Sequence, residues 1–538
     1  MRAATVISRL RIPTVYRGPA PTLSGAQILL VVALAALVQL PFGLGAAFGE
    51  QDAARLANDA YLWVKGDIRN AVLSEYRYYV SPGYIVLLAA LIPLAELSGI
   101  PLPSILNVLN ALAFVAIAVP LVRLFARLAG PDAAILGAIY LLFIPTFWQS
   151  GVYGFPHLLA LLALVTALWM YDRWLTGEHT LSRRSDLWLI GGLLTLSVLL
   201  KGDLYLSAVA FPLLHLLRGS RAGLLSLGAL LTLPVLISAM VSGVLLYGQE
   251  NLAEYMVGWR TQYPAEVSAV LSRSWVVRLL RRLRFALGYL TGPLFVLGVV
   301  AALLRGRHRL AFFLALWVPL PLLFWALRAG DSTRHHLPVA VPLALGVGLL
   351  LASLPVRNAV RFALLALLLA VNYFIHPPSS STLWPGGRIF ANAGLLRERV
   401  QTYHRLSAEF AAAPGAERVI LGGGLLPYPE AAVLARADAG VMLDRSRTTL
   451  RTRIFRHSEA GIPRTTGFVR TDPAELEAVA ESYRAQGFRV YTFEYDCQGN
   501  PGVQFDLGRG TMYTAFPDAL IELSAAGCAA FPAAPPAR

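Results

Sequence analysis

Residues 25–47 read Gly25-Ala-Gln-Ile-Leu-Leu-Val-Val-Ala-Leu-Ala-Ala-Leu-Val-Gln-Leu-Pro-Phe-Gly-Leu-Gly-Ala-Ala47, and Phe48-Gly-Glu-Gln-Asp52 follows directly. The first stretch is uncharged over the length a helix needs to cross the hydrocarbon layer of a bilayer. The second places two carboxylates just beyond its end. This alternation of apolar run and polar turn recurs along the chain. Of 538 residues, 56% are hydrophobic and 14% charged, against roughly 25% charged in a soluble domain. That much apolar surface calls for a bilayer. The first run follows the basic stretch Arg9 to Arg17, is too long for a signal-peptide core and lacks a convincing cleavage site. It is expected to stay in place as the first helix.

Twelve apolar runs can be marked, at about 25–47, 84–98, 104–122, 133–149, 155–171, 187–200, 203–217, 224–247, 285–304, 310–328, 337–354 and 359–375. Short basic turns separate them in a regular way. The N-terminal arginines and the turns holding Arg123 and Arg127, Arg173 with Arg183 and Arg184, Arg218 and Arg221, Arg305 with Arg307 and Arg309, and Arg357 and Arg361 belong on one side, the cytoplasmic one, by the positive-inside rule. If all twelve runs cross, the parity fails. If 84–98 does not cross, every one of these turns falls inside. That run is short and bracketed by Ser81-Pro82-Gly83 and Gly99-Ile-Pro-Leu-Pro103, so it is expected to lie along or re-enter the membrane. The expectation is about eleven crossings, with the N-terminal residues 1–24 cytoplasmic, a transmembrane part over 25–375, a linker over 376–392 and an extracytoplasmic domain over 393–538. Residues 48–103, 248–284 and Gly330–His336 then become outer loops.

Charge divides along the same boundary. Residues 1–375 carry 29 basic against 15 acidic side chains, and residues 376–538 carry 17 against 16. The excess therefore belongs to the membrane part, where it sets topology and meets lipid phosphate; nucleic acid is not an expected partner. The basic residues are 44 Arg and 2 Lys, which reads as a codon bias. In the tail, His376-Pro-Pro-Ser-Ser-Ser381 marks the linker. A helix is expected over 393–413, a strand at Arg418–Leu421 ending in Gly422-Gly-Gly424, a helix over 474–486 opened by Asp472-Pro473, and a strand at Phe488–Tyr495. This order suggests a small α/β domain. The glycine turn lacks the full dinucleotide pattern and reads as a plain tight turn. Cys497 and Cys528 form a bridge or remain thiols; spacing does not decide.

Glu50 and Asp52 stand close to the expected membrane boundary. Partial desolvation there raises a carboxylate pKa toward the range of a general base. The plainer reading is acids in the first turn of a helix, favoured by its dipole.

A first helix, an acidic outer loop, the aromatic segment Tyr76-Arg-Tyr-Tyr-Val-Ser-Pro-Gly-Tyr84 and many further helices together resemble the GT-C superfamily of membrane glycosyltransferases. Leu199-Leu-Lys-Gly-Asp203 resembles a helix junction in the protein mannosyltransferases and lipid A aminoarabinose transferases of that group. Asp331-Ser-Thr-Arg-His-His-Leu-Pro338 resembles their outer Arg-Tyr-Leu-Leu-Pro loop. The usual adjacent pair of acids is here Glu-Gln-Asp, which leaves open whether Glu50 or Asp52 is the base. The turn Gln149–His157, where some relatives hold a second acid, has none.

The resemblance implies a polytopic α-helical fold and transfer of a sugar from a polyprenyl-phosphate donor to an extracytoplasmic glycan, lipid or protein, with inversion. It assigns Asp52 or Glu50 as base. Lys201, Arg334, His335, Arg278, Arg281 and Arg282 would bind the donor phosphate, and Tyr153, His157 and Tyr79 would contact sugar or acceptor. No cofactor is expected; a divalent metal is possible but not indicated. For Lys201, Arg334 and His335 the bland alternative is a hydrated or snorkelling interface residue. For the Arg273–Arg284 cluster it is lipid contact. Two other functions fit a multi-pass protein: a transporter or flippase, and a non-catalytic component of cell-envelope polysaccharide assembly. Against transport, the halves show no internal repeat and no ionisable residue lies mid-run. Composition and the retained first helix point to a bacterial inner membrane.

Overall fold

A computed structural model describes residues 23–43, 60, 82–98, 100, 102–151, 156–179, 181–218, 223–241, 280, 283, 287–319, 321–322 and 336–374, and in the C-terminal part eight strands, one helix and a few adjoining turn residues. The helices are α1 (Gly25–Gly43), α2 (Pro82–Ser98), α3 (Leu102–Ala129), α4 (Pro131–Leu142), α5 (Pro145–Ser150), α6 (His157–Leu175), α7 (Arg183–Leu200), a 3₁₀ turn (Gly202–Val209) running into α8 (Ala210–Arg218), α9 (Leu224–Met240), α10 (Thr291–Leu304), α11 (His308–Trp317), α12 (Leu337–Ser353) and α13 (Asn358–Phe374). Among the described residues, Ile105–Ala129 and His157–Leu175 are long and apolar enough to cross a bilayer, and the other apolar helices run 10–17 residues. The outside of the bundle is itself apolar: Leu37 is 72% exposed, Leu225 93% and Leu304 84%. In water such a surface would drive association, whereas lipid is its natural solvent.

The helix boundaries follow local chemistry. The run marked at 133–149 is two helices, because Pro145 lacks an N–H and restarts the chain after Leu142. The run at 187–200 begins at Arg183, where the Ser182 side chain accepts from the Ser185 N–H at 3.1 Å as an N-cap. The run at 203–217 opens as a 3₁₀ turn before becoming α8. Helices α6 and α10 end on Gly177 and Gly306, both at positive φ. In each, the residue after the glycine donates back to a carbonyl five residues earlier, Glu178 to Arg173 and Arg307 to Ala302. This closure satisfies the last carbonyls and fixes where Glu178 and Arg307 stand.

The five basic turns meet at one end of the bundle. Asp172 of α6 is fully buried between Arg127 of α3 and Arg218 of α8; Arg218 approaches its two oxygens at 2.6 and 2.8 Å. Arg127 also forks onto Glu178 at 2.8 and 2.9 Å. Arg307 donates to the Ala129 carbonyl at 2.9 Å, Arg305 to that of Ser353, and Arg361 to that of Leu354 at 2.9 Å and to Asp132 at 2.8 Å. These contacts put the turns after α3, α6, α8, α10 and α12 side by side, so the helices between them run in antiparallel pairs. The Trp148 indole N–H reaches the Val38 carbonyl near the far end of α1, which places the end of α1 opposite the arginines.

Helix α2 is buried along one side. Its buried residues Tyr84, Ile85, Leu88, Ile92 and Ala95 form one stripe, and they pack with Leu102 and Leu106 at the start of α3, Ala160 near the start of α6, and Leu200 and Leu204 at the end of α7. All of these lie at the end away from the arginines.

Helix α12 is the buried axis; each residue from Leu337 to Leu349 is buried. It admits α4 and α10 at backbone distance. A Cβ on Gly137 would stand 2.8 Å from the Ala344 carbonyl oxygen, and one on Gly348 or Gly298 would collide with the Ala133 or Gly346 carbonyl. Small residues let helices approach in this way where no hydrophobic drive separates helix from lipid.

The described C-terminal elements form two sheets. Strands β1 (Arg418–Leu421), β2 (Val441–Asp444), β5 (Arg489–Phe493) and β8 (Leu520–Glu522) form one in the order β2-β1-β5-β8, with β1 parallel to both neighbours and β8 antiparallel. Helix α14 (Pro473–Arg484) packs on β5 and β1. Strands β3 (Arg453–Ile454), β4 (Thr466–Arg470), β6 (Val503–Asp506) and β7 (Thr511–Thr514) form an antiparallel sheet that the sequence reading did not anticipate. The expected helix at 393–413, the Gly422–Gly424 turn and both cysteines lie outside the described residues.

Replacing Gly348 with leucine is expected to destabilise the bundle by about 1–3 kcal/mol or more through overpacking, while Gly192→Leu, on an exposed position with no atom within 4 Å, leaves the melting midpoint in detergent unchanged. Asp172→Asn strands two arginines around a neutral amide and is expected to cost about 3–5 kcal/mol; a change in the midpoint no larger than that of an exposed pair would refute the clamp.

Candidate functional site

The end of the bundle opposite the arginines gathers what the sequence singled out. Lys201 sits at the junction of two helices. Its N–H donates to the Ser197 carbonyl at 2.9 Å and ends α7, and its own carbonyl accepts from Leu204 at 3.1 Å and opens the 3₁₀ turn. Its extended backbone, φ −153° and ψ 96°, breaks the helix, and its side chain is half-buried. The Lys-Gly pair is therefore a hinge between two helical paths. His157 is buried in the first turn of α6, and His336 is fully buried at the start of α12.

Two motifs far apart in sequence meet here. Gly83 of the aromatic segment lies against Leu199; a Cβ there would stand 2.8 Å from the Leu199 Cβ and 2.9 Å from its carbonyl carbon. Tyr84 and Leu88 share one cluster with Leu200 and Leu204, the neighbours of Lys201. Burial raises the Tyr84 phenol well above its ordinary pKa, so it stays neutral.

The described residues on either side of the acidic segment in the sequence lie at this same end. Before it, Val38 takes the Trp148 hydrogen bond at 3.3 Å and Gln39 is buried against Gly151. After it, Ala60, eight residues beyond Asp52 in the sequence, is fully buried in the cluster with Leu200 and Leu204. Glu50 and Asp52 themselves lie outside the described residues, as do Arg278, Arg281, Arg282, Arg334, His335, Tyr153 and Tyr79. Of the expected site residues, the structure describes Lys201 and His157. It adds Gly83, Trp148 and Gly151, which sequence reasoning passed over; the glycines beside helix ends were the available signal. Among the described residues no group of three or more His, Cys, Asp or Glu side chains could hold a metal ion.

No protein-family model matches the chain, and no curated protein matches it in sequence. Solved structures do match in shape. ArnT from Cupriavidus metallidurans bound to undecaprenyl phosphate is 14% identical, with a TM-score of 0.53 over 88% of this chain and 94% of that one. The archaeal oligosaccharyltransferase AglB from Archaeoglobus fulgidus, in complex with an inhibitory peptide and a dolichol-phosphate, is 13% identical, with a TM-score of 0.48 over 92% and 75%. The Archaeoglobus fulgidus oligosaccharyltransferase in complex with Zn and sulfate is 14% identical, at 0.48 over 92% and 74%. The chain shares the fold of ArnT. The resemblance to GT-C membrane glycosyltransferases is borne out at that level.

Gly83→Val should push α2 off Leu199. Hydrogen exchange over 82–98 is expected to quicken by about tenfold or more as local opening becomes easier, with α4 and α12 unaffected; unchanged exchange would mean that the close approach does not seat α2.

Proposed function

We propose that the protein is a membrane glycosyltransferase that moves one sugar from a polyprenyl-phosphate donor to an acceptor outside the cytoplasm. The observation that carries this reading is the cluster joining Ala60, eight residues beyond Asp52 in the sequence, to Leu200 and Leu204, one before and one three residues after Lys201. In this reading the segment before Ala60 brings its carboxylates to the end of the bundle where Lys201 lies, in a chain that shares the fold of ArnT. Among the described residues transport has no comparable feature in its favour.

In this reading the bundle crosses the membrane eleven times, by α1, α3, α4, α6, α7, α8, α9, α10, α11, α12 and α13, with α2 on the outer side and the arginine turns in the cytoplasm. The C-terminal sheets then stand outside, and the membrane is a bacterial inner membrane. Asp52 takes the proton of the acceptor hydroxyl, with Glu50 as its competitor for that role. The freed oxygen attacks the sugar C1 from the face opposite the phosphate. The C1–O bond to phosphate breaks, and its electron pair leaves on the polyprenyl phosphate. That leaving group is already a stable anion and needs positive charge more than a proton. Lys201 supplies it, together with Arg334, His335, Arg278, Arg281 and Arg282. Tyr153, His157 and Tyr79 contact the sugar or the acceptor, which is a glycan, a lipid or a protein. No step requires a cofactor.

Purified protein in nanodiscs, given a panel of radiolabelled polyprenyl-phosphate sugars and acceptors, tests this. Asp52→Asn is expected to lower kcat by about 10²–10⁴-fold with donor binding retained, and Glu50→Gln to lower it less. Lys201→Ala is expected to cost on the order of 100-fold and to weaken donor binding. A wild type that binds donor without turning it over on any acceptor would favour a non-catalytic role in envelope polysaccharide assembly. A folded wild type that binds no donor would remove the transferase reading and favour transport.

A further inference from the structure

Lys201 stands between two helical segments and belongs to neither. Its backbone is extended, at φ −153° and ψ 96°, so the direction of its side chain follows from the two segments it joins. Its N–H donates to the Ser197 carbonyl on the α7 side, and its carbonyl accepts from the Leu204 N–H on the side of the 3₁₀ turn. Both segments rest on α2.

On the α7 side the contact reaches the backbone. Helix α2 opens with Pro82, whose fixed φ suits a first helical position. Gly83 follows and lies against Leu199, two residues before Lys201. A Cβ at position 83 would stand 2.8 Å from the Leu199 Cβ, 2.9 Å from its carbonyl carbon and 3.0 Å from its carbonyl oxygen. To reach ordinary contact at about 3.5 Å, α2 or the last turn of α7 would have to move by roughly 0.6 Å or more. On the other side of Lys201, Leu204 is buried in one cluster with Tyr84, Leu88 and Leu200. Tyr84, Leu88 and Ile92 recur every fourth residue, so one face of α2 serves this joint. A helix that only covered this end could stand at the ordinary distance of about 8–10 Å between axes. Glycine lets α2 come closer, at the turn of α7 that ends on Lys201.

We infer that Gly83 is a positioning residue for Lys201. By seating both the last turn of α7 and the start of the 3₁₀ turn, α2 aims the lysine ammonium at the donor phosphate. Gly83 needs no contact with substrate; it acts through the backbone of Leu199. The inference rests on the transferase reading for what Lys201 does, and on packing alone for how Lys201 is held.

Two measurements on the full-length protein in nanodiscs test it. The first needs no substrate. The chain has 2 lysines, Lys65 and Lys201, so modification of Lys201 by a small amine-reactive ester can be timed by peptide mass spectrometry against the N-terminal amine. Gly83→Ala is expected to quicken it by about fivefold or more as the seat loosens. Leu88→Ala, which removes packing without a clash, is expected to act in the same direction and carries the test if Gly83→Ala does not fold. Gly192→Leu, on an exposed position of α7 itself, is expected to change nothing. The second measurement is a double-mutant cycle on sugar transfer. Gly83→Ala is expected to lower kcat/KM by about tenfold in the wild-type background, the effect of a misplacement below about 1 Å. On top of Lys201→Ala it is expected to cost less than about twofold, because the group it places is gone. Unchanged labelling overturns the inference. So does a tenfold loss that multiplies with that of Lys201→Ala, which is what general damage to the bundle would give. Labelling that responds in a protein whose wild type transfers no sugar would instead remove the transferase reading and leave the seat of Lys201 in place.

Discussion

A helix that reaches a membrane boundary leaves its last carbonyls without partners, and every other feature of this bundle has to accommodate that fact. At one end the answer is arginine. Arg307 reaches across to a carbonyl at the end of α3, Arg305 and Arg361 reach carbonyls at the end of α12, and Arg127 and Arg218 close on Asp172. The same contacts that satisfy the backbone set which turns are neighbours, and so set the order of the helices. A guanidinium can bond a carbonyl and a carboxylate at once, as Arg361 does with Leu354 and Asp132; an ammonium lacks that planar fork. The scarcity of lysine, which reads in the sequence as a codon bias, coincides with a demand for this geometry.

The opposite end is organised by close backbone approach. Gly83 lets α2 rest on Leu199, and Gly151 lets the chain after α5 rest on Gln39. Gly151 meets α1, which precedes Glu50 and Asp52 in the sequence, and Gly83 adjoins the cluster that includes Ala60, which follows them. The arginine end thus holds the frame, and the glycine-seated end holds the segments where chemistry is proposed. Lys201 connects the two, because the helix it terminates begins at the arginine turns with Arg183.

Hydrophobic runs and basic turns made the bundle legible in the sequence. The parity of the turns singles out 84–98 as the run expected not to cross; α2 packs with residues near the ends of α3, α6 and α7. Helix breaks were less legible: Pro145 inside an apolar run and the 3₁₀ turn after Lys201 depend on backbone geometry that hydropathy ignores. Partner choice could not be read at all, since nothing along the chain says that Asp172 would meet Arg127 and Arg218, which lie 45 and 46 residues away. The acidic loop and the Leu-Leu-Lys-Gly junction were legible as motifs, but Gly83, Trp148 and Gly151 were not, because their roles lie in what they permit their neighbours to do.

The depth of α12 has a consequence for synthesis. Helix α4, buried from Ala133 through Leu142, packs against α12, which begins at Leu337. A ribosome adding about 5–20 residues per second takes roughly 10–40 s to bridge that interval. For that time α4 has left the translation machinery without the partner that will cover it, and its glycine-notched face is open to lipid or to an assembly factor. The bundle is thus completed late, by a helix inserted into a slot that earlier helices have kept open.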